Sequence, residues 1–136
     1  MNLQPYIFFY GRCAEALEFY KSAFGGTYES STVGETPMKD QFPPETHGSV
    51  MHASFTAGGV RFFCADGEQR KAIDPDEGNV SLSLAAQDDA EANRIFNALA
   101  AGGTVKMPLA PAPWQDGTKF GMVVDKFGID WMMTSP

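Results

Sequence analysis

The chain has 136 residues, 43% hydrophobic and 20% charged, and its 10 basic and 17 acidic side chains leave a formal net charge of −7. That length suits one domain with a real core and not two ordinary ones. The absence of any basic run weighs against nucleic-acid or anionic-membrane partners, and the apolar N-terminal run stops at Gly11, short of a membrane span and without the charged leader of a signal peptide.

Residues 5–10, Pro-Tyr-Ile-Phe-Phe-Tyr, read as a strand that is apolar on both faces and therefore buried. A helix follows over Cys13 to Phe24, with Cys13, Ala16, Leu17, Tyr20 and Phe24 on one face and Glu15, Glu18 and Lys21 on the other. Gly25-Gly26 ends it, because glycine accepts the left-handed cap. Thr27 to Val33 is a modest second strand. Gly34 to Gly48 is polar, carries Pro37, Pro43 and Pro44, and has no period, the pattern of a structureless lid, binding loop or disordered segment. Val50 to Thr56 and Val60 to Ala65 form a hairpin around Gly58-Gly59. The charged stretch Asp66 to Gly78, with Asp74-Pro75, links two halves.

In the second half Val80, Leu82 and Leu84 alternate with Asn79, Ser81 and Ser83, a half-buried strand whose apolar row should pack on a helix. That helix starts near Asp88, a fitting N-cap, and buries Ala92, Ile95, Phe96 and Leu99. Gly102-Gly103 closes it. Met107 to Gly117 is proline-rich and reads as extended loop around Trp114. Lys119 to Val124 and Ile129 to Thr134 are the last hairpin, with Asp125 capping its turn.

The two halves are copies. Ala14-Glu15-Ala16 returns as Ala90-Glu91-Ala92, Gly25-Gly26-Thr27 as Gly102-Gly103-Thr104, and Gly59 to Phe63 as Gly128 to Met132. Two copies are too few for a solenoid, so the expectation is one βαβββ unit duplicated and closed on itself: an α+β fold, a single domain of two modules spanning about 1–66 and 79–136.

Alternation predicts which side chains face the concave side. If Gly58-Gly59 is a two-residue turn, Ser54 pairs with Phe63 and Thr56 with Arg61. His52, Ser54, Arg61 and Phe63 then line the cavity, while Val60, Phe62 and Cys64 face the helix. Asn79, Ser81 and Ser83 face it from the second module, with Pro5, Ile7 and Phe9 as their counterparts in the first strand. Lys119, Gly121, Asp130, Met132 and Thr134 complete the concave set.

Pro-Tyr-Ile-x-Phe-x-Gly (5–11), Glu-Ala-Leu-x-Phe-Tyr (15–20), Phe-Gly-Gly (24–26), Met-His-Ala (51–53) and Asp-x-Phe-Gly-x-x-Trp (125–131) together resemble the PhnB-like branch of the vicinal-oxygen-chelate superfamily, the glyoxalase, bleomycin-resistance and extradiol-dioxygenase group. The resemblance covers nearly the whole chain and implies paired βαβββ modules and a homodimer. Lys126 stands where that branch typically has proline. Some members carry a demethylubiquinone methyltransferase label, but a common methyltransferase needs a glycine-rich turn between strand and helix in alternating βα units, and this chain has strand triplets. Metal-dependent relatives place His or Glu at positions that match Pro5, Phe63, Asn79 and Met132 here. None is an imidazole or carboxylate, so no metal and no cofactor is expected.

His52 is the best catalytic candidate, since imidazole titrates near neutral pH; the other reading is a hydrogen-bonded strand histidine. Cys64 as a nucleophile beside His52 is disfavoured by parity, and Cys13 and Cys64 read as reduced, buried thiols of a cytoplasmic protein. Arg61 and Lys119 either hold a carboxylate or phosphate or sit at a solvated rim. Trp114 either lids a flat ligand or plugs a local gap. Phe9, Phe63 and Met132 either floor a pocket or fill the core.

The resemblance, taken with the lost ligand positions and the aromatic lining, implies a metal-free binder of a small aromatic, or apolar and anionic, molecule of the bleomycin-resistance kind. Its ligand set is Phe9, His52, Ser54, Arg61, Phe63, Asn79, Ser81, Trp114, Lys119 and Met132. A metal-independent lyase, isomerase or hydrolase using His52 is the alternative, and a metal-dependent glyoxalase or dioxygenase fits the ligand positions least. Catalysis itself is left open.

Overall fold

A computed structural model describes residues 1–67 and 78–136. Each expected module folds into its own four-stranded sheet with one helix against one face, and the chain divides into two compact units, Met1–Ala72 and Ile73–Pro136. The linking stretch expected over Asp66 to Gly78, with Asp74-Pro75, lies mostly outside the described residues.

The first unit runs β1 (Tyr6–Phe8), α1 (Cys13–Phe24), β2 (Thr27–Thr32), β3 (Val50–Ala57) and β4 (Val60–Ala65), with sheet order β1-β4-β3-β2. The second repeats it as β5 (Leu82–Ala85), α2 (Asp89–Ala100), β6 (Thr104–Pro111), β7 (Lys119–Val124) and β8 (Asp130–Ser135), in order β5-β8-β7-β6. In both, the first strand runs parallel to the last and the others are antiparallel, so the fold is α+β.

The first core is aromatic. Tyr20 of α1 meets Phe9 at 5.9 Å and Phe62 at 5.5 Å, and Phe62 stacks on Phe55 at 5.0 Å. Cys13 and Cys64 are fully buried beside them, with their sulfurs 3.5 Å apart. Hydrogen bonding to Cys64, then burial, pushes the Cys13 thiol far above its ordinary value, so it is an inert thiol. Asp66, only 6% exposed, secures the start of this core: its carboxylate accepts from Cys13 N at 2.8 Å and from Val50 N at 2.7 Å. It serves as the cap that Arg12, at the head of α1, does not provide. In the second unit α2 is capped within its own segment, Asp88 accepting from Glu91 N at 2.8 Å. Asp125 holds the β7–β8 turn, accepting from Phe127 N, Ile129 N and the Trp131 indole at 2.9, 3.1 and 2.8 Å.

The paired glycines meet two demands, and Gly26, with φ of 82°, meets both. Gly25 and Gly102 both have φ of 76°, the left-handed turn out of the helix. Gly26 and Gly103 leave no room for a side chain, since a Cβ would stand 2.2 Å from Thr56 O and 2.1 Å from Val124 O.

Four expectations are corrected. The first strand is short and half exposed, Tyr6 at 43% and Phe8 at 47%, because Tyr10 (φ 48°) and Gly11 (φ 93°) turn the chain away into α1. Val80 does not pack on a helix: it is 74% exposed, and pairing begins only at Leu82, opposite Trp131. The proline-rich stretch from Met107 is strand as far as Pro111, since β6 is an edge strand that absorbs Pro108 and Pro111 with two register shifts. The loop from Gly34 to Gly48 is not structureless. With Val33 it forms three single 3₁₀ turns, Val33–Glu35, Lys39–Gln41 and Pro44–Thr46, tied by the His47 Nε2–H donating to Lys39 O at 2.8 Å and Phe42 O at 3.2 Å. Among the described residues no helix is long and apolar enough to cross a membrane.

Candidate functional site

The face of the first sheet away from α1 carries the expected row. The β3–β4 ladder runs from Ala57–Val60 through Thr56–Arg61 and Ser54–Phe63 to Ala53–Cys64. Pairs across an antiparallel ladder share a face, so Ser54, Arg61 and Phe63 lie on the open side with His52, while Phe55, Phe62 and Cys64 turn to α1. His52 and Cys64 are therefore on opposite faces. Strand β2 adds Ser31 beside His52, Glu29 beside Ser54 and Thr27 beside Thr56.

Strand β1 adds what alternation from the repeat missed. It pairs Tyr6 with Phe63, Ile7 with Cys64 and Phe8 with Ala65. Tyr6 and Phe8 thus stand on the open face, and Phe9, 2% exposed, packs on Tyr20 in the core. Phe9 is corrected from ligand-facing to core. In the second unit Ser83 pairs with Met132 as Tyr6 pairs with Phe63, so the true offset between first strands is 77 residues, where Pro5 against Asn79 assumes 74. A slip of three is odd, and an odd slip turns every side chain to the other face. The GGT repeats, Thr27 against Thr104, carry the correct offset.

The result is an aromatic cluster. Tyr6 lies 5.2 Å from Phe8, 5.6 Å from His52 and 6.2 Å from Phe63 between ring centres, and His52 lies 5.3 Å from Phe63. The Tyr6 hydroxyl is 3.0 Å from His52 Nδ1. Partial burial, then the nearby thiols Cys64 and Cys13, push the Tyr6 hydroxyl above the ordinary tyrosine value, so it keeps its proton. The cluster borders an open groove of about 350 Å³, walled by Tyr6 and Phe8 on one side and Val33, Phe42 and Thr46 of the turn-rich loop on the other. Phe42 had no sequence signal beyond being an aromatic in a polar loop.

The second unit gathers less. Met132 is half-exposed beside Ser83 and Met122. Asn79 and Ser81 are exposed and precede β5. Trp114 is 62% exposed, set edge-to-face on Phe120 at 4.9 Å, over an open groove of about 560 Å³ shared with Gln115, Asp116 and Thr118. Lys119 is corrected: its amino group meets Asp89 of α2 at 2.7 Å, on the helix side, where its ladder partner Ser135 also bonds Asp89 at 3.3 Å. The five residues between Val124 and Asp130 make paired positions differ by an even number, so Lys119 and Gly121 share a face with Met133 and Ser135, while Met132 and Thr134 lie opposite.

The ligand positions of metal-dependent relatives do not fit a divalent ion. In-register neighbours on the open faces are Tyr6 with Phe63 and Ser83 with Met132, which supply no imidazole and no carboxylate. Among the described residues no group of three or more His, Cys, Asp or Glu is placed to hold a metal.

The sequence model of the family described as 3-demethylubiquinone-9 3-methyltransferase matches residues 1–134. Protein YjdN of Escherichia coli (strain K12) is 34% identical over 141 residues, covering 98% of this chain and 94% of that one. The crystal structure of protein PA1353 from Pseudomonas aeruginosa is 35% identical with a TM-score of 0.81, covering 99% of this chain and 97% of that one. The PhnB protein from Bacillus cereus, which carries the same methyltransferase description, is 29% identical with a TM-score of 0.76 over 100% of both chains. A glyoxalase/bleomycin resistance protein/dioxygenase superfamily member from Sphaerobacter thermophilus, 18% identical with a TM-score of 0.56 over 100% of this chain and 98% of that one, shares the fold.

Proposed function

The chain belongs to the 3-demethylubiquinone-9 3-methyltransferase family, the PhnB-like branch of the glyoxalase, bleomycin-resistance and dioxygenase superfamily, and from that membership we propose that it is a metal-free binder of a small aromatic molecule. The observation that carries this reading is the Tyr6, Phe8, His52, Phe63 cluster beside the groove walled by Val33 and Phe42. Half-exposed rings on a rigid sheet offer a flat apolar surface with one polar pair, Tyr6 and His52, to orient what lies on it. Ser54 and Arg61 extend the surface along the same face.

The methyltransferase description is not adopted as an activity. A methyltransferase of the common type needs a glycine-rich strand-to-helix turn set in alternating βα units, and each sheet here takes four strands with a single helix. The Tyr6–His52 hydrogen bond favours one second reading, metal-independent proton transfer by His52 in a lyase, isomerase or hydrolase.

A homodimer is part of the proposal, because each sheet ends in edge strands that need cover, β1 and β2 in one and β5 and β6 in the other. A cytoplasmic location is too, since the buried Cys13 and Cys64 stand side by side as free thiols.

The test is a thermal-shift screen of flat aromatic compounds, run with EDTA and with added divalent metal. The proposal expects stabilisation by some of them that EDTA leaves unchanged and that His52→Ala and Phe42→Ser both diminish. Stabilisation only when metal is present would overturn it.

A further inference from the structure

On the open face of the first sheet, the proton between Tyr6 and His52 has two arrangements. A phenol is the stronger donor and an imidazole nitrogen the stronger acceptor, so the favoured one has Tyr6 donating to Nδ1 at 3.0 Å. That fixes the other ring nitrogen of His52 as Nε2–H, a donor with no partner among the described residues.

Arg61 is the second donor. It sits on β4 two residues before Phe63, shares their face, is exposed, and makes no hydrogen bond or ion pair among the described residues. Between the levels of His52 and Arg61 lies Phe63, its ring 5.3 Å from the imidazole. The two levels are four residues apart, on the order of 13 Å along the strand. Among the described strand residues the carboxylate on this face is Glu29, on β2, two strands and two residues of rise from Arg61, on the order of 12 Å between backbone positions.

We propose that this face selects flat aromatic carboxylates laid along Phe63, with a neutral acceptor oxygen at one end received by the His52 Nε2–H and the carboxylate at the other received by Arg61. Tyr6 is the positioning residue, acting through the His52 tautomer. The inference rests on the aromatic-face reading given under Proposed function and adds the ligand's two polar ends.

Three probes of one shape separate the contributions: 6-acetyl-2-naphthoate, its isopropenyl isostere without the acceptor oxygen, and 6-acetyl-2-naphthamide without the charge. Calorimetric affinities are measured for the wild-type chain, His52→Phe, Arg61→Gln and Tyr6→Phe. Loss of the oxygen should weaken wild-type binding about fivefold and leave His52→Phe indifferent. Loss of the charge should weaken it about tenfold and leave Arg61→Gln indifferent. In Tyr6→Phe the preference for the oxygen should fall, and imidazole ¹⁵N spectra should pass from one Nε2–H tautomer to a mixture.

Equal affinity for all three probes would overturn the two-ended selectivity while leaving the aromatic-face reading standing. An Nδ1–H tautomer in the wild-type chain would overturn the role given to Tyr6. Failure of all three probes to bind would overturn both readings.

Discussion

The Tyr6 hydroxyl lies 3.0 Å from His52 Nδ1 on a sheet face that also presents Phe8 and Phe63. The histidine is exposed and the tyrosine 43% exposed, so the pair contributes little packing and much orientation. Trp131, at 2% exposed and with its indole donating to Asp125, is the opposite case.

Those two positions should separate stability from binding. Trp131→Ala removes a large core side chain and one hydrogen bond to a buried carboxylate, at a cost of about 3–5 kcal/mol. His52→Ala and Tyr6→Phe should each stay within about 1 kcal/mol of wild type. Urea unfolding followed by circular dichroism measures all three, and equal losses would make His52 a structural residue.

Asp66 is expected to matter more than Asp88, although both serve helix starts. Asp66→Ala leaves two N–H groups, of Cys13 and Val50, without their partner, each worth about 1–3 kcal/mol. Asp88→Ala removes one exposed cap bond, worth about 0.5–2 kcal/mol. The same unfolding assay ranks them, and a larger loss for Asp88→Ala would contradict the clamp assigned to Asp66.

Within each glycine pair the second should be the less tolerant. A Cβ at Gly26 or Gly103 meets backbone oxygen at 2.2 or 2.1 Å, whereas at Gly25 it meets nothing within 4 Å and bears only the left-handed φ. Gly25→Ala should cost on the order of 1–3 kcal/mol, because φ 76° with ψ −154° is almost confined to glycine, and Gly26→Ala and Gly103→Ala clearly more. Thermal midpoints that fall equally for Gly25→Ala and Gly26→Ala would contradict the close approach.

Asp89 carries a pH signature. The hydrogen bond from Lys119 holds its carboxyl below the ordinary aspartate value against a smaller desolvation, with the Lys119 charge and the Ser135 hydroxyl adding to the lowering. A folded-state value below the unfolded one contributes stability above the unfolded value of about 4, and that contribution is lost as pH falls through the folded value. Lys119→Met should raise the Asp89 midpoint in a ¹³C NMR titration. An unchanged midpoint would show that the pair does not persist in solution.

The fold was legible because its signals were redundant. Alternation around Gly58-Gly59, the amphipathic run ending at Gly25, and the repeat of Ala-Glu-Ala and Gly-Gly-Thr all pointed to the same βαβββ unit. The open-face placement of His52, Ser54, Arg61 and Phe63 followed from one two-residue turn. Phe9 and Lys119 were misplaced because each face depended on a loop's parity: an offset of 74 for 77 before α1, and an uncounted five-residue turn after Val124. The wall formed by Phe42 was not legible, since a proline-interrupted loop has no period from which to read a direction.

The central claim is that a flat aromatic ligand rests, without metal, on Tyr6, Phe8, His52 and Phe63. Amide and aromatic NMR spectra of the chain in EDTA, titrated with the strongest stabiliser from the thermal-shift screen, test it most directly. The account predicts that the largest shifts fall on these four residues and on Val33 and Phe42 across the groove. Shifts centred on Trp114 and Thr118, or none until a divalent metal is added, would contradict it.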